Sequence, residues 1–253
     1  MSEVVDWLLL PLINLGERTI PANIAWHGRI MVLAWGVAMP IALLLARYYK
    51  VTPRQNWPQE LDNRFWWDGH RLLNYATVAF SIAAASLVWS TTYYSGAARD
   101  LHACLGWSIV FLGILQIIGG QLRGTKGGPT APRLNADGSV LDLQGDHYDM
   151  SPRRRVFERI HKTLGYAALF ISITALVLGM WVANAPRWMF LVLATWWLSL
   201  ILIALKLQRD GRCIDTYQAI WGLDPSLPGA RVEPTGWGIR RLPADFKSHN
   251  ETS

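Results

Sequence analysis

Leu101–Gly120, LHACLGWSIVFLGILQIIGG, is an apolar run of membrane-spanning length with one imidazole, His102, just inside its mouth. On a helix, Gly106, Ile109, Gly113, Gln116 and Gly120 follow below that histidine at steps of three and four. Most of these are glycines, so the stripe is a shallow trough. A histidine above a trough suits a flat ligand that lies against the helix with a ring nitrogen bonded to its metal. The device recurs at 160–180, IHKTLGYAALFISITALVLGM, where His161 stands above Gly165, Ala168, Ser172, Ala175 and Gly179.

Working outward, the 253 residues are 51% hydrophobic and include 14 Trp, and they hold five apolar runs, at 24–47, 65–93, 101–122, 160–182 and 188–207. A soluble domain rarely contains five such runs, so the expectation is one multi-pass membrane domain at 24–207. Residues 1–23 read as an interfacial segment, because the patch 4–15 is broken by Asp6 and Pro11 and has neither a basic n-region nor an A-x-A site. Residues 208–253 read as a polar tail, and 123–156 as a long loop without apolar periodicity. Pro40 is expected to kink the first span. Cys104 and Cys213 are too far apart in this scheme for a disulfide, and no CxxC or CxxCH is present for covalent haem attachment.

The net charge of +6 follows sidedness. The N-terminal segment and the turns at 94–100 and 183–187 carry three Lys or Arg, while the segments 47–64, 122–162 and 206–253 carry nineteen. This places the N-terminus outside and the C-terminus in the cytoplasm, and it explains the basic balance without nucleic acid.

His27, His70, His102 and His161 each stand near the N-terminal end of one of the first four spans. Consecutive spans are antiparallel, so the depths alternate, and only one pairing keeps partners level: His27 with His102 toward the outside, His70 with His161 toward the cytoplasm. With spans of about 22 residues and a 1.5 Å rise, the two levels are expected on the order of 20 Å apart. Two imidazoles leave four equatorial positions, and no Cys or carboxylate lies level with them. A porphyrin fills all four, leaves no open position for oxygen, and favours electron transfer. The fold class expected is therefore an all-α bundle of five transmembrane helices, four of them enclosing two haems. Gly106 and Gly165 would floor the ligand, and Arg29, Arg71, Arg99, Arg159 and Lys162 lie where propionates could be paired.

The first span, WHGRIMVLAWGVAMPIALLLARYYK, resembles the cytochrome b561 signature of HG-x-x-M, WG, a mid-helix Pro and a terminal AR-Y-x-K; HR-L in the second span and H-x-x-x-G in the third and fourth fit as well. The resemblance covers about 24–207 and implies two non-covalent haem b groups, with His27, His70, His102 and His161 as axial ligands in the same pairing. Arg47 and Lys50 match the family's basic end of the first span, near the cytoplasmic substrate in ascorbate-using members. The compact form resembles bacterial members, which implies a bacterial cytoplasmic membrane. Implied partners are membrane lipid, an electron donor (quinol, ascorbate-like or another reductant), an acceptor on the opposite face, and a second copy in a homodimer. The reading is transmembrane electron relay, with a quinol- or ferric-reducing oxidoreductase subunit and a non-redox haem-holding subunit as alternatives.

Several residues have plainer readings. Small-residue stripes also serve as helix-packing faces. The arginines near the spans are orientation signals first. Met31 and Cys104 read as packing, Trp35 and Trp107 as core, the remaining Trp near span ends as an interfacial belt, and His147 and His249 as solvated loop and tail residues.

Overall fold

A computed structural model describes residues 3–12, 19–91 and 93–246. It is an all-α membrane bundle with five helices long and apolar enough to cross a bilayer: Ala22–Tyr48, Phe65–Val88, Ala97–Gln121, Pro152–Val182 and Arg187–Arg209. In chain order these follow α1 (Glu3–Leu9) and comprise α2 (Ala22–Met31), a π-helical stretch (Val32–Ala38), α3 (Met39–Tyr48), α4 (Phe65–Val88), α5 (Ala97–Gln121), α6 (Pro152–Val182) and α7 (Arg187–Arg209); α8 (Thr216–Trp221) and a 3-10 turn (Pro228–Arg231) follow. His249 and residues 13–18 of the interfacial segment lie outside the described residues.

The chain forms two compact units. One comprises Met1–Leu43, Arg71–Leu115 and Gly165–Leu205; the other comprises Leu44–His70, Gln116–Leu164 and Lys206–Ser253.

The first unit has a core of Met31, Ala34, Trp35, Met39, Ala84, Ile109, Ala168, Ala175 and Leu176. The small-residue stripes supply much of it. A Cβ on Gly113 would stand 2.8 Å from Val78, and Ser81 and Ser172 are fully buried. Polar atoms here are paired: Trp35 Nε1 donates to Ser81 Oγ (2.7 Å) and Thr77 Oγ1 to Ala34 O (3.2 Å). The middle of each trough is thus a packing face. The kink expected at Pro40 takes the form of the π-helical stretch just before it. Proline lacks the N–H that would bond the carbonyl four residues back, at Gly36. That carbonyl instead accepts two indole N–H groups from α7, Trp196 Nε1 at 3.0 Å and Trp197 Nε1 at 3.1 Å. On α1 no residue is buried, and the chain just after it is tied down where Leu10 O accepts from Arg187 N (2.9 Å).

The second unit is built from the connections and the tail. Helix α6 begins at Pro152, eight residues before the apolar run at 160, because Ser151 caps it, with Oγ accepting from Arg154 N (3.2 Å), and proline suits the first helical position. Its first turns are polar and are held by Arg154–Glu158 (3.0 Å) and Lys162–Glu158 (2.8 Å), with Glu158 buried. The loop expected at 123–156 contains a short hairpin, β1 (Arg133–Leu134) with β2 (Val140–Asp142). The polar tail folds over its described residues, 208–246. Val51, Trp57, Ile214, Ala219 and Leu242 form one core, and Met150, Tyr217 and Trp221 form another. His147, expected to be solvated, is 4% exposed, with Nδ1 accepting from Trp221 Nε1 (3.0 Å). Burial pushes its pKa down to about 3, so it is neutral.

Candidate metal centres

Within the first unit, α2 and α5 bring His27 and His102 together with ring centroids 6.1 Å apart and planes at 83°. His27 Nδ1 donates to Ala84 O (2.9 Å) and His102 Nδ1 to Ala175 O (3.0 Å). A carbonyl only accepts, so each bond fixes the proton on Nδ1 and leaves the Nε2 lone pair available to a metal. This is the outer-shell arrangement usual for metal-bound histidine. A Cβ on Gly179 would come within 2.6 Å of His102 Cε1, so α6 approaches the ring through that glycine.

In the second unit, α4 and α6 bring His70 and His161 together with centroids 6.2 Å apart and planes at 73°. Phe157 stacks on His161 (5.1 Å, 29°), and Gln116 Nε2 donates to His161 O (2.8 Å), which pins α5 against α6 at that level. His161 Nδ1 is buried without a hydrogen-bond partner.

The spacing is a test of fit. A metal–imidazole bond of about 2.0 Å, plus roughly 1.1 Å from nitrogen to ring centroid, puts two trans imidazole centroids about 6.2 Å apart. Both pairs match that distance. Among the described residues no group of three or more His, Cys, Asp or Glu gathers. Each candidate centre offers two imidazoles, so a metal held there would take its remaining donors from a group that carries its own. Gly28 beside His27, Gly106 one turn below His102, and Gly119 and Gly120 one turn beyond Gln116 face open space: beyond the helix's own nearby backbone and chain neighbours, nothing lies within 4 Å of where a Cβ would stand. Gly165 is half-buried on α6.

The basic candidates are more dispersed. Arg29 lies over Trp26 (5.1 Å), Arg71 over Tyr75 (5.6 Å), and Arg99 pairs with Asp100 (3.2 Å). Arg47 donates to Gln208 Oε1 (3.1 Å) and Trp237 O (2.9 Å). Lys50 is buried, donates to Ile214 O (2.9 Å), and has its pKa lowered by burial to about 8. Sequence reading missed the carbonyls of Ala84 and Ala175, the Phe157 stack and the open glycine at 28. The carbonyls leave no side-chain signal; Gly28 follows His27 directly and could have been found.

Relatives bear on what occupies these centres. The chain is 28% identical over 171 residues to ferric-chelate reductase 1 of Homo sapiens and 29% over 169 residues to that of Mus musculus. It is 26% identical over 155 residues to a cytochrome b561, DM13 and DOMON domain-containing protein of Arabidopsis thaliana. These similarities support the cytochrome b561 family broadly. They cover 66%, 65% and 61% of this chain but 24%, 24% and 14% of the respective relatives. No family model and no solved structure matches the chain. With the five apolar helices, the similarities make this a multi-pass membrane protein.

Proposed function

We propose that this chain is a transmembrane oxidoreductase that relays single electrons through two non-covalent haem b groups, one held by His27 and His102, the other by His70 and His161. The observation that carries the reading is the 6.1 and 6.2 Å ring spacing, with the remote nitrogens of the first pair tied to carbonyls. A porphyrin iron bound between two imidazoles supplies a one-electron couple with no coordination site open to oxygen.

The residues of the chain do the rest. Ala84 and Ala175 hold the His27 and His102 rings in one tautomer and orientation, so little rearrangement accompanies a change of charge. Phe157 fixes the His161 plane. Gly28, Gly106 and Gly120 leave room for the macrocycle faces, and Trp35 and Ile109 exclude water from the first unit's core. The excess of Lys and Arg in three segments supports an outside N-terminus and a cytoplasmic C-terminus. The names of the animal relatives favour a ferric chelate as acceptor over a purely protein-to-protein relay.

The test is haem quantification with reduced-minus-oxidised spectra on the purified chain and on His102→Ala. Two haems per chain are expected, and the variant should lose one while keeping the other. One haem or none in the wild type would overturn the reading. Turnover of ferric citrate by the reduced protein would support the ferric acceptor; re-oxidation no faster than in buffer would remove it.

A further inference from the structure

Five cations lie along the first three turns of α6, at 153, 154, 155, 159 and 162, and the fold treats them unequally. Arg154 and Lys162 are both taken by the buried Glu158 carboxylate, at 3.0 and 2.8 Å. Arg153 is exposed but donates to Leu122 O (2.9 Å). Arg155 and Arg159, also exposed, have no carboxylate, carbonyl or aromatic ring as a side-chain partner among the described residues. They stand four positions apart and so share a face. Arg159 is two positions from His161, roughly 160° round the helix, which sets it on the far side from the His70–His161 pair.

That outward face is apolar as well as basic. Val156 and Ile160, one turn apart beside the two arginines, are 58% and 54% exposed. Depth then decides what meets them. Helix α6 has 31 residues, about 46 Å at 1.5 Å per residue, whereas a hydrocarbon core is about 30 Å thick. Its apolar run begins at 160, so 152–159 continues for about 12 Å past that run and crosses the level of the lipid headgroups. Two guanidiniums with exposed aliphatic side chains beside them therefore meet phosphate and acyl chain together. A guanidinium takes phosphate oxygens in a bidentate fork. A second positive charge on the same face favours a headgroup of net negative charge over one that carries its own cation, such as choline.

We infer that the outward face of α6 at 155–160 seats an anionic phospholipid, with the phosphodiester accepting from Arg155 and Arg159 and the acyl chains running along Val156 and Ile160. The lipid anchors the start of the helix that carries His161 at headgroup depth. The inference needs only a chain that spans the membrane; it is independent of the proposed haem groups and of which leaflet is cytoplasmic.

The test places the full chain in vesicles of equal parts phosphatidylcholine and phosphatidylglycerol, extracts it in mild detergent and quantifies the lipid that stays bound through purification. Phosphatidylglycerol should be enriched about fivefold or more, the preference a single arginine contributes near an anionic surface. Arg155→Gln combined with Arg159→Gln should return the two lipids to parity. Arg64→Gln combined with Arg133→Gln removes the same charge from cations already paired with Asp68 and Asp142, and should leave the enrichment in place. Parity in the wild type, enrichment that survives the first pair of substitutions, or enrichment lost as fully with the second pair overturns the inference. Should the first pair fail to purify, Val156→Glu sets a carboxylate beside the same guanidiniums and carries the same expectation. Millimolar inorganic phosphate in the wash should not displace the lipid, because the acyl chains hold the headgroup at the surface. Displacement would make this a site for free phosphate and overturn the lipid assignment.

Discussion

At the scale of single residues, the glycines separate into two kinds, and substitution tells them apart. Gly179 is a contact glycine. Alanine there must push His102 aside, and overpacking of this sort costs about 1–3 kcal/mol. Gly179→Ala is expected to lower thermal stability and to remove the same haem as His102→Ala. Gly106 has no neighbour to meet. Gly106→Val should leave the haem-free fold as stable as wild type and still lower haem content, because the added methyls occupy the space in which the macrocycle is proposed to lie. Full haem content in Gly106→Val would show that this face holds no ligand. The four histidines were legible from the sequence because their spacing from span ends carries the signal. The glycines at 106 and 113 looked equivalent in sequence. Only the helix rotation distinguishes the open one from the one filled by Val78 and Trp35.

At the scale of elements, the first span and α6 depart from simple helices for identifiable reasons. Pro40 was readable as a kink, but its consequence is the Gly36 carbonyl shared by Trp196 and Trp197. Either indole can satisfy that carbonyl alone. Trp196→Phe and Trp197→Phe should therefore each cost little, and the double variant about 1–3 kcal/mol, the cost of an unsatisfied buried acceptor. Thermal unfolding in detergent checks this; additive single effects would count against a shared acceptor. The last span had no chemical motif in the sequence, and its role in satisfying the first span depends on packing. Along α6, Glu158 stands between Arg154 and Lys162. Glu158→Gln leaves two cations facing each other at a buried position, and a loss of about 3 kcal/mol is expected.

At the scale of the whole molecule, the described part of the tail, 208–246, and the 123–156 connection are folded structure, where sequence reading expected a polar tail and a loop. Their apolar residues, such as Trp57, Met150, Tyr217 and Trp221, are scattered without helical or strand period, so no local pattern announces a core. His147 reports on that core. Its folded pKa lies near 3 and its ordinary value near 6.5, so the unfolded chain binds the extra proton between those limits. Stability of the second unit should rise as pH increases from about 3 to about 6.5 and then level off. His147→Gln should flatten that rise, which denaturation followed by Trp fluorescence across this range would detect.

What the sequence determined by itself was how many helices among the described residues are long and apolar enough to cross a membrane, and which histidine rings meet. Apolar length sets the first, and alternating span direction forces the second, so neither depends on detailed packing. The tertiary structure decided which small residues pack and which stay open, where the carbonyls that orient the rings lie, and that the tail folds over the basic end of the first span. Those features arise from contacts between residues 35 to 190 positions apart, and no periodicity within a single segment encodes them.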